Sequence, residues 1–213
     1  MGHDGSKYAA ELAMRWCKVG SGSIGDYLEF GTYRGKSFTY FFHAAKKYDL
    51  NSMRFFGFDS FEGLPETETC PKIEGGPKES FLAGNYKFSQ EDLTNVLISD
   101  GVDMDRVTLV PGFYDKSLTD ETRKRLDIKC AGVINIDCDL YESTRDVLNF
   151  VTGYLRNGTI ILFDDFLAYQ GHPFKGERRA LREWLEKRPH IRLTEYFKYT
   201  HSGAAFIVNL ITP

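Results

Sequence analysis

The chain has 213 residues, of which 42% are hydrophobic and 27% are charged, a balance that excludes an intrinsically disordered protein. This length suits a single domain, spanning residues 1–213, with one sizeable core. The net charge of -3 and the pI of about 6.0 indicate no strongly basic surface, which argues against nucleic acid as a partner.

The cysteine spacing and the N-terminal residues indicate the compartment. No two cysteines form a Cys-x-x-Cys motif, which argues against a zinc or redox site, and free thiols are typical of a reducing compartment. Residues 1–7 contain no apolar leader, and no apolar run is long enough to cross a bilayer. We therefore expect a cytoplasmic protein with no membrane partner. The cysteines are Cys17, Cys70, Cys130 and Cys138.

The first two thirds of the chain alternate helical patterns with short apolar runs. An amphipathic helix is predicted over Ser6–Cys17, where Tyr8, Leu12 and Trp16 recur every four residues. Near-continuous apolar runs are typical of parallel strands that are covered on both faces. The predicted strands are Tyr27–Phe30, Phe55–Phe58, Val107–Val110, Val133–Ile136 and Thr159–Phe163. The predicted helices between them are Ser37–Lys47, Ser89–Asp100 and Ser143–Asn157, the last one ended by Gly158.

The last third of the chain predicts one helix and a hairpin. The helix covers Arg178–Lys187, with Leu181, Trp184 and Leu185 facing inward. The segments Arg192–Tyr199 and Ala204–Ile211 follow as strands, with too few residues between them for a crossover helix, so they should pair antiparallel at one edge of the sheet. The fold class is therefore α/β, a doubly wound, mostly parallel seven-stranded sheet with a C-terminal antiparallel hairpin.

One interval between strand ends is nearly twice as long as the others. The excess lies in residues 62–88, which are rich in Gly, Pro, Glu and Lys. We interpret this segment as an insertion over the active face, with a lid as its expected role.

The loop after the first predicted strand has the composition of a ligand loop. Gly31 and Gly35 allow a sharp turn and a close backbone approach, and the following helix would offer free N–H groups to an anion. A tight strand–helix turn without a ligand explains the same residues equally well. The Gly-x-Gly-x-x-Gly spacing of a dinucleotide site is absent, which argues against NAD.

The next two strand ends fit a nucleoside. Asp59 is well placed to accept hydrogen bonds from ribose hydroxyls, although it could instead cap the next turn with Ser60. Gly112 would let an adenine lie against the backbone and Phe113 would stack on it, although a plain turn is an alternative.

Four carboxylates follow the fourth and fifth predicted strands. Asp137 and Asp139 come after one, and Asp164 and Asp165 after the other. Carboxylates this close repel one another unless a cation is present, and hard divalent cations such as Mg²⁺ prefer oxygen ligands. One or two of these acids could cap helices, Asp139 in particular, but four caps would be unusual.

These residues resemble the motifs of a known enzyme class. The run Glu-Phe-Gly-Thr-Tyr-Arg-Gly-Lys-Ser at residues 29–37 resembles the first motif of class I S-adenosylmethionine methyltransferases. Asp137 with Asp164 and Asp165 resembles the metal triad of catechol and caffeoyl-CoA O-methyltransferases. Residues 137–144, with 58–65 and 81–86, are more similar to the macrocin and mycinamicin O-methyltransferases and the novobiocin noviose methyltransferase, which act on sugar hydroxyls. The resemblance extends from about residue 27 to residue 208.

The resemblance implies a role for each motif. The first loop would hold the methionine end of S-adenosylmethionine, Asp59 its ribose and Gly112 with Phe113 its adenine side. Asp137, Asp164 and Asp165 would coordinate Mg²⁺, and the acceptor would be a small molecule with a sugar or polyol hydroxyl. The sugar branch also implies a homodimer. The implied cofactor-binding residues are Glu29, Gly31, Thr32, Tyr33, Ser37, Asp59, Ser60, Gly112 and Phe113.

The sequence departs from the related families in two respects. Catechol-type enzymes carry a lysine base three residues after the first metal aspartate, where this chain has Leu140. The base must therefore be another residue, and the resemblance to the sugar branch implies Asp139, which would remove a proton from a hydroxyl that the metal has acidified. Asp137 would act in catalysis through the metal. The region before the first strand is also shorter than in macrocin-type enzymes, so substrate-binding parts are expected to differ.

Three alternatives stay open at this point. A nucleotide-binding oxidoreductase could use the same fold, and fold alone does not exclude it. A non-catalytic domain that binds a cofactor and a partner protein is a second alternative. Within methyltransferases, a catechol-like phenol competes with a sugar hydroxyl as the acceptor.

Overall fold

The computed structural model describes residues 5–20, 24–66 and 82–211, and its centre is a seven-stranded sheet. The strands are β1 (Asp26–Phe30), β2 (Phe55–Asp59), β3 (Val107–Pro111), β4 (Ala131–Ile136), β5 (Ile160–Phe163), β6 (Ile191–Tyr199) and β7 (Gly203–Leu210). Their order across the sheet is β3-β2-β1-β4-β5-β7-β6. The first five strands are parallel, and β7 pairs antiparallel with both β5 and β6. The predicted mixed sheet with an edge hairpin is confirmed.

Helices cover both faces of the sheet. They are α1 (Gly5–Val19), α2 (Lys36–Lys47), α3 (Gln90–Ser99), α4 (Tyr114–Ser117), α5 (Asp120–Leu126), α6 (Tyr141–Val151) and α7 (Gly176–Glu186). Alternate residues of β1 point to opposite sides, so Tyr27 packs with α1 to α3 while Leu28 and Phe30 pack with α5 to α7. Two 3₁₀ turns, Met104–Arg106 and Thr152–Tyr154, complete the layers.

The predicted first helix is confirmed as α1, but its buried residues are not the large ones that mark its period. Tyr8 is 51% exposed, and Leu12 and Trp16 are only half-buried. The small residues at positions 9, 10 and 13, together with Met14, are buried instead. Small side chains let the helix lie close to the sheet layer, while Tyr8 and Trp16 contact aromatic rings of β6 at its margin.

The segment predicted as one helix over Ser143–Asn157 is shorter and begins earlier. α6 ends at Val151, and the 3₁₀ turn that follows it ends before Gly158. Gly158 has φ +86 and donates its N–H to the Val208 carbonyl at 2.9 Å, so it directs the chain into β5 rather than ending a helix.

Helices α4 and α5 were not predicted. α5 is only 7 residues long and buries Thr122 and Leu126, which is too short a pattern for a clear helical period. Its start is nevertheless well defined, because the Thr119 side chain accepts a hydrogen bond from the Thr122 N–H at 3.2 Å.

The predicted start of α3 is confirmed by its cap. The Ser89 hydroxyl accepts a hydrogen bond from the Asp92 N–H at 3.0 Å and donates one to the Asp92 carboxylate at 2.7 Å. Gly101 follows the helix with φ +76, as expected for a helix end.

Three of the four cysteines lie among the described residues. Cys17, Cys130 and Cys138 are free thiols, and Cys70 lies outside the described residues. Among the helices that the structure describes, none combines the length and apolarity needed to cross a bilayer.

Candidate active site

A cavity of about 370 Å³ opens at the carboxyl ends of the parallel strands. This is where open α/β sheets bind ligands. The loops after β1, β2, β3, β4 and β5 all contribute to its wall. The lining residues are Gly31, Tyr33, Asp59, Ser60, Gly63, Leu64, Pro65, Tyr86, Phe113, Tyr114, Asp137, Cys138, Asp139, Ser143, Asp164 and Asp165.

Three aspartates of the cavity meet at the ends of β4 and β5. Carboxylate oxygens of Asp137, Asp164 and Asp165 lie within 4.8 Å of one another. Two backbone hydrogen bonds set this arrangement, from the Asp137 N–H to Phe30 at 2.9 Å and from the Asp164 N–H to Ile136 at 3.0 Å. The parallel ladders therefore bring together the three acids that the sequence singled out.

The electrostatics of this cluster favour a cation. Burial, and then the neighbouring Asp164 and Asp165 charges, raise the pKa of Asp137 well above its ordinary value. No lysine, arginine or histidine is among the described residues that line the cavity. A set of hard oxygen donors in such a lining is suited to a divalent ion such as Mg²⁺.

Asp139 lies beside this triad with its backbone in the left-handed region. Its φ is +60, a conformation that is uncommon for residues other than glycine and that aspartate adopts more readily than most. Burial raises the pKa of Asp139, and so do the charge of Asp165 and a hydrogen bond with that side chain. Asp139 is not the cap of α6, because the helix is preceded by Leu140 and has no side-chain cap.

The loop after β1 lies directly against the residue that follows β4. Gly31 has φ +90, and a Cβ built on it would lie 1.7 Å from the Asp137 carbonyl oxygen. Only glycine fits this position, both for the backbone conformation and for the close approach. The loop predicted to bind the cofactor and the predicted metal site are therefore in backbone contact.

Asp59 holds the β1 loop in place. One of its oxygens accepts hydrogen bonds from the Thr32 N–H at 2.8 Å and the Tyr33 N–H at 3.0 Å. The other accepts the Phe61 N–H at 2.8 Å, which closes the turn after β2. Asp59 also lines the cavity, so the structure leaves both the turn role and the ribose role available to it.

Glu29 and Ser37 lie behind the loop rather than on the cavity wall. Glu29 is fully buried, and its carboxyl group accepts a hydrogen bond from Ser37 at 2.6 Å and another from Tyr27. Burial raises the pKa of Glu29 to about 8, against the lowering effect of its two hydroxyl partners. Their predicted contact with the methionine end of a cofactor stays a prediction.

The remaining predicted residues are divided between wall and support. Ser60 and Phe113 line the cavity, and the Ser60 hydroxyl donates to the Gly63 carbonyl at 2.7 Å. Thr32 is 2% exposed and does not line the cavity. Gly112 is also outside the cavity lining, and its N–H donates to the Asp59 carbonyl at 2.9 Å.

Both described ends of the insertion border the cavity. The Leu64 N–H donates to the Asn85 carbonyl, and the Gly84 N–H donates to the Leu64 carbonyl, both at 2.9 Å. The predicted lid is thereby anchored at residues 62–66 and 82–88, while residues 67–81 lie outside the described residues. Its function as a lid stays a prediction.

An aromatic pair borders the acid cluster on the side of the insertion. The Tyr33 and Tyr86 rings meet edge to face with centroids 5.5 Å apart. Burial and the charge of Asp139 raise the pKa of Tyr86, so its hydroxyl is close to the acids. Sequence reasoning missed Tyr86, because a lone tyrosine in a loop carries no periodic signal.

Glu177 is a second residue that sequence reasoning missed. It is 1% exposed, and its Oε2 accepts the Asp165 N–H at 3.1 Å. Burial and the charge of Asp165 raise the pKa of Glu177 well above its ordinary value. Glu177 precedes the inward-facing Leu181 by four residues and Trp184 by seven. This helical spacing could have predicted that Glu177 lies on the buried face of α7.

Comparison with known proteins points to one family. A family model described as macrocin O-methyltransferase (TylF) matches residues 13–188. A relative from Streptomyces olivaceus, 8-demethyl-8-(2,3-dimethoxy-alpha-L-rhamnosyl)-tetracenomycin-C 4'-O-methyltransferase, is 27% identical over 76% of this chain and 59% of its own length. Demethyldecarbamoylnovobiocin O-methyltransferase from Streptomyces niveus is 24% identical over 70% of this chain and 55% of its own length. The chain thus spans less than two thirds of both relatives.

Solved structures share the fold. The O-methyltransferase NovP superposes with a TM-score of 0.73 at 21% identity, covering 94% of this chain and 78% of NovP. CalS11, described as a calicheamicin methyltransferase, gives a TM-score of 0.71 at 23% identity, covering 94% of this chain and 77% of CalS11. The predicted class I methyltransferase fold is confirmed.

Proposed function

The chain belongs to the macrocin O-methyltransferase (TylF) family, and we propose that it transfers a methyl group from S-adenosylmethionine to a hydroxyl of a sugar-containing natural product. The observation that carries this proposal is the convergence of the glycine loop after β1 and a three-aspartate cluster in one cavity. Both relatives are named as O-methyltransferases, and the name of one specifies a rhamnosyl compound.

Asp137, Asp164 and Asp165 would hold a divalent cation, with Mg²⁺ as the expected ion. The chemistry of the three carboxylates fits such an ion, and a bound cation would relieve the repulsion between their charges. A bound divalent cation supplies the Lewis acidity that lowers the pKa of a neighbouring alcohol.

Asp139 is the residue that we assign as the general base. It lines the cavity beside the triad, and its burial makes it a stronger proton acceptor than an exposed aspartate. Leu140 stands where catechol-type enzymes carry their lysine, and it is 2% exposed and packed in the core. The base must therefore come from another position, and Asp139 is adjacent.

The loops after β1, β2 and β3 would hold S-adenosylmethionine, which supplies an electrophilic methyl group. Gly31, Tyr33, Asp59 and Phe113 all reach the cavity wall. Asp59 fixes the loop after β1, so binding would not require that loop to reorganise. Alignment of the acceptor oxygen with the methyl group would supply the remaining rate gain.

A methyl-transfer assay tests the proposal. The protein is incubated with S-adenosylmethionine and a panel of acceptors, with Mg²⁺ or with EDTA, and S-adenosylhomocysteine is measured. The panel pairs glycosides that carry adjacent hydroxyls with glycosides whose hydroxyls are blocked. We expect turnover only with free hydroxyls and with Mg²⁺, and full activity in EDTA would overturn the cation role.

The same assay separates a sugar from a catechol acceptor. A catechol-type reaction would be detected with simple phenols, whereas the proposal expects glycosides to be preferred. A homodimer stays a prediction of the family resemblance and is tested by light scattering.

A further inference from the structure

Glu177 is placed in a position that the fold alone does not explain. An acid that is 1% exposed is costly unless its charge is paired and its oxygens are hydrogen-bonded. Its Oε2 has the Asp165 N–H, but its Oε1 has no hydrogen-bond partner in the described structure. None of the salt bridges found among the described residues includes Glu177.

The backbone is also adapted to bring Glu177 inward. Gly176, the first residue of α7, has φ +51, and a Cβ on it would lie 2.4 Å from the Tyr169 ring. Glycine therefore allows α7 to begin close against the loop that follows β5. Being in the first turn, Glu177 receives partial compensation from the helix dipole.

The carboxylate of Glu177 contacts the acid cluster from α7 and does not line the cavity. It bonds the backbone of Asp165 and not its side chain, so the Asp165 carboxylate is left for the cavity. The Asp164 carbonyl accepts a hydrogen bond from the Ser202 hydroxyl at 2.8 Å. Glu177 and Ser202 thus hold opposite ends of one peptide group, the one that joins Asp164 to Asp165.

We propose that Glu177 is a positioning residue of the cation site, fixing the Asp164–Asp165 turn through the Asp165 N–H. This inference rests on the proposed function, in which these two aspartates hold a divalent ion. Residues that orient metal ligands in this way typically contribute about 10- to 100-fold to metal affinity.

The test measures Mn²⁺ binding by calorimetry in the full chain, so it does not depend on an identified acceptor. Glu177→Gln keeps an oxygen that can accept the Asp165 N–H, and Glu177→Met keeps the volume but removes the acceptor. We expect Glu177→Met to weaken Mn²⁺ binding about 10- to 100-fold and Glu177→Gln to stay within about threefold of wild type. Affinity for S-adenosylhomocysteine, measured in parallel, should be unchanged in both variants.

Glu183 provides the matched control on the same helix. It pairs with Arg179 at 2.9 Å and lies outside the cavity lining, so Glu183→Met should bind Mn²⁺ as the wild type does. Wild-type affinity in Glu177→Met would overturn the inference, as would an equal loss in Glu177→Gln. Parallel loss of S-adenosylhomocysteine binding would show a general folding role and also overturn it. Failure of the wild type to bind Mn²⁺ would instead overturn the cation role in the proposed function, and the inference with it.

Discussion

Replacing Glu29 by glutamine should reduce the loss of the free energy of unfolding at alkaline pH. Glu29 is fully buried with a pKa raised from 4.5 to about 8, mainly by burial. Between these two values the folded protein holds a proton that the unfolded chain has released. The free energy of unfolding therefore falls as pH rises through this window, because ionising Glu29 in the folded state is unfavourable.

The size of the effect follows from the two pKa values. Linkage between them gives a loss of roughly 2.5 kcal/mol for the wild type between pH 6 and pH 9. Glutamine resembles the protonated acid, since its amide can both donate to and accept from the hydroxyls of Tyr27 and Ser37. The variant should match the wild type near pH 6 and exceed it by roughly 2.5 kcal/mol at pH 9.

Urea denaturation at pH 6 and pH 9, in EDTA and without cofactor, measures this difference. The other buried acids are present in both proteins, so most of their pH dependence cancels. Glu11→Gln is the control, because Glu11 pairs with Lys47 at 2.7 Å and its pKa is lowered, so it is ionised at both pH values. If Glu29→Gln and wild type lose the same stability between pH 6 and pH 9, Glu29 is not a buried acid of raised pKa and the reasoning is wrong.

Four other predictions concern the cavity. Asp137→Ala should abolish methyl transfer, which the transfer assay checks. In EDTA it should raise the melting temperature in scanning calorimetry, because it removes one member of a cluster of repelling carboxylates. Asp139→Asn should lower kcat about 100- to 10,000-fold with unchanged affinity for S-adenosylhomocysteine, and a kcat within tenfold of wild type would exclude it as the base. Gly31→Ala should cost at least about 2 kcal/mol in urea denaturation, from the contact with the Asp137 carbonyl and the positive φ. Tyr86→Ala should raise the acceptor KM roughly fivefold with little change in the KM for S-adenosylmethionine, whereas Tyr8→Ala, far from the cavity, should change neither.

The sheet could be predicted because its strands have strong local signals. Apolar runs such as Val133–Ile136 have few alternatives to a buried strand, and the carboxyl ends of parallel strands meet at one edge. Asp137, Asp164 and Asp165 were therefore brought together by topology alone, before any side-chain position was known. The hairpin followed from the short connection between its strands.

The features that were missed depend on packing between distant segments. The face of α1 was decided by which residues fit closely against the neighbouring helix and strands, and the small residues fitted better than the bulky ones. Tyr86 lines the same cavity as the acids, beside a pairing between the two ends of a long insertion that no local pattern predicts. Glu177 lies just before the predicted helix Arg178–Lys187, although its spacing from Trp184 places it on the inward face of α7.

The contact between Gly31 and the Asp137 carbonyl divides the site into a part that is constrained and a part that is free to diverge. A side chain at position 31 would collide with this backbone carbonyl and push the loop away from β4, so position 31 is restricted to glycine. The wall formed by residues 62–66 and 82–88 is joined by hydrogen bonds between its two ends, and it meets the β1 loop through side chains, such as Tyr86 against Tyr33. Changes of acceptor, in natural variants or by directed evolution, should therefore accumulate in that wall while the β1–β4 seam stays fixed.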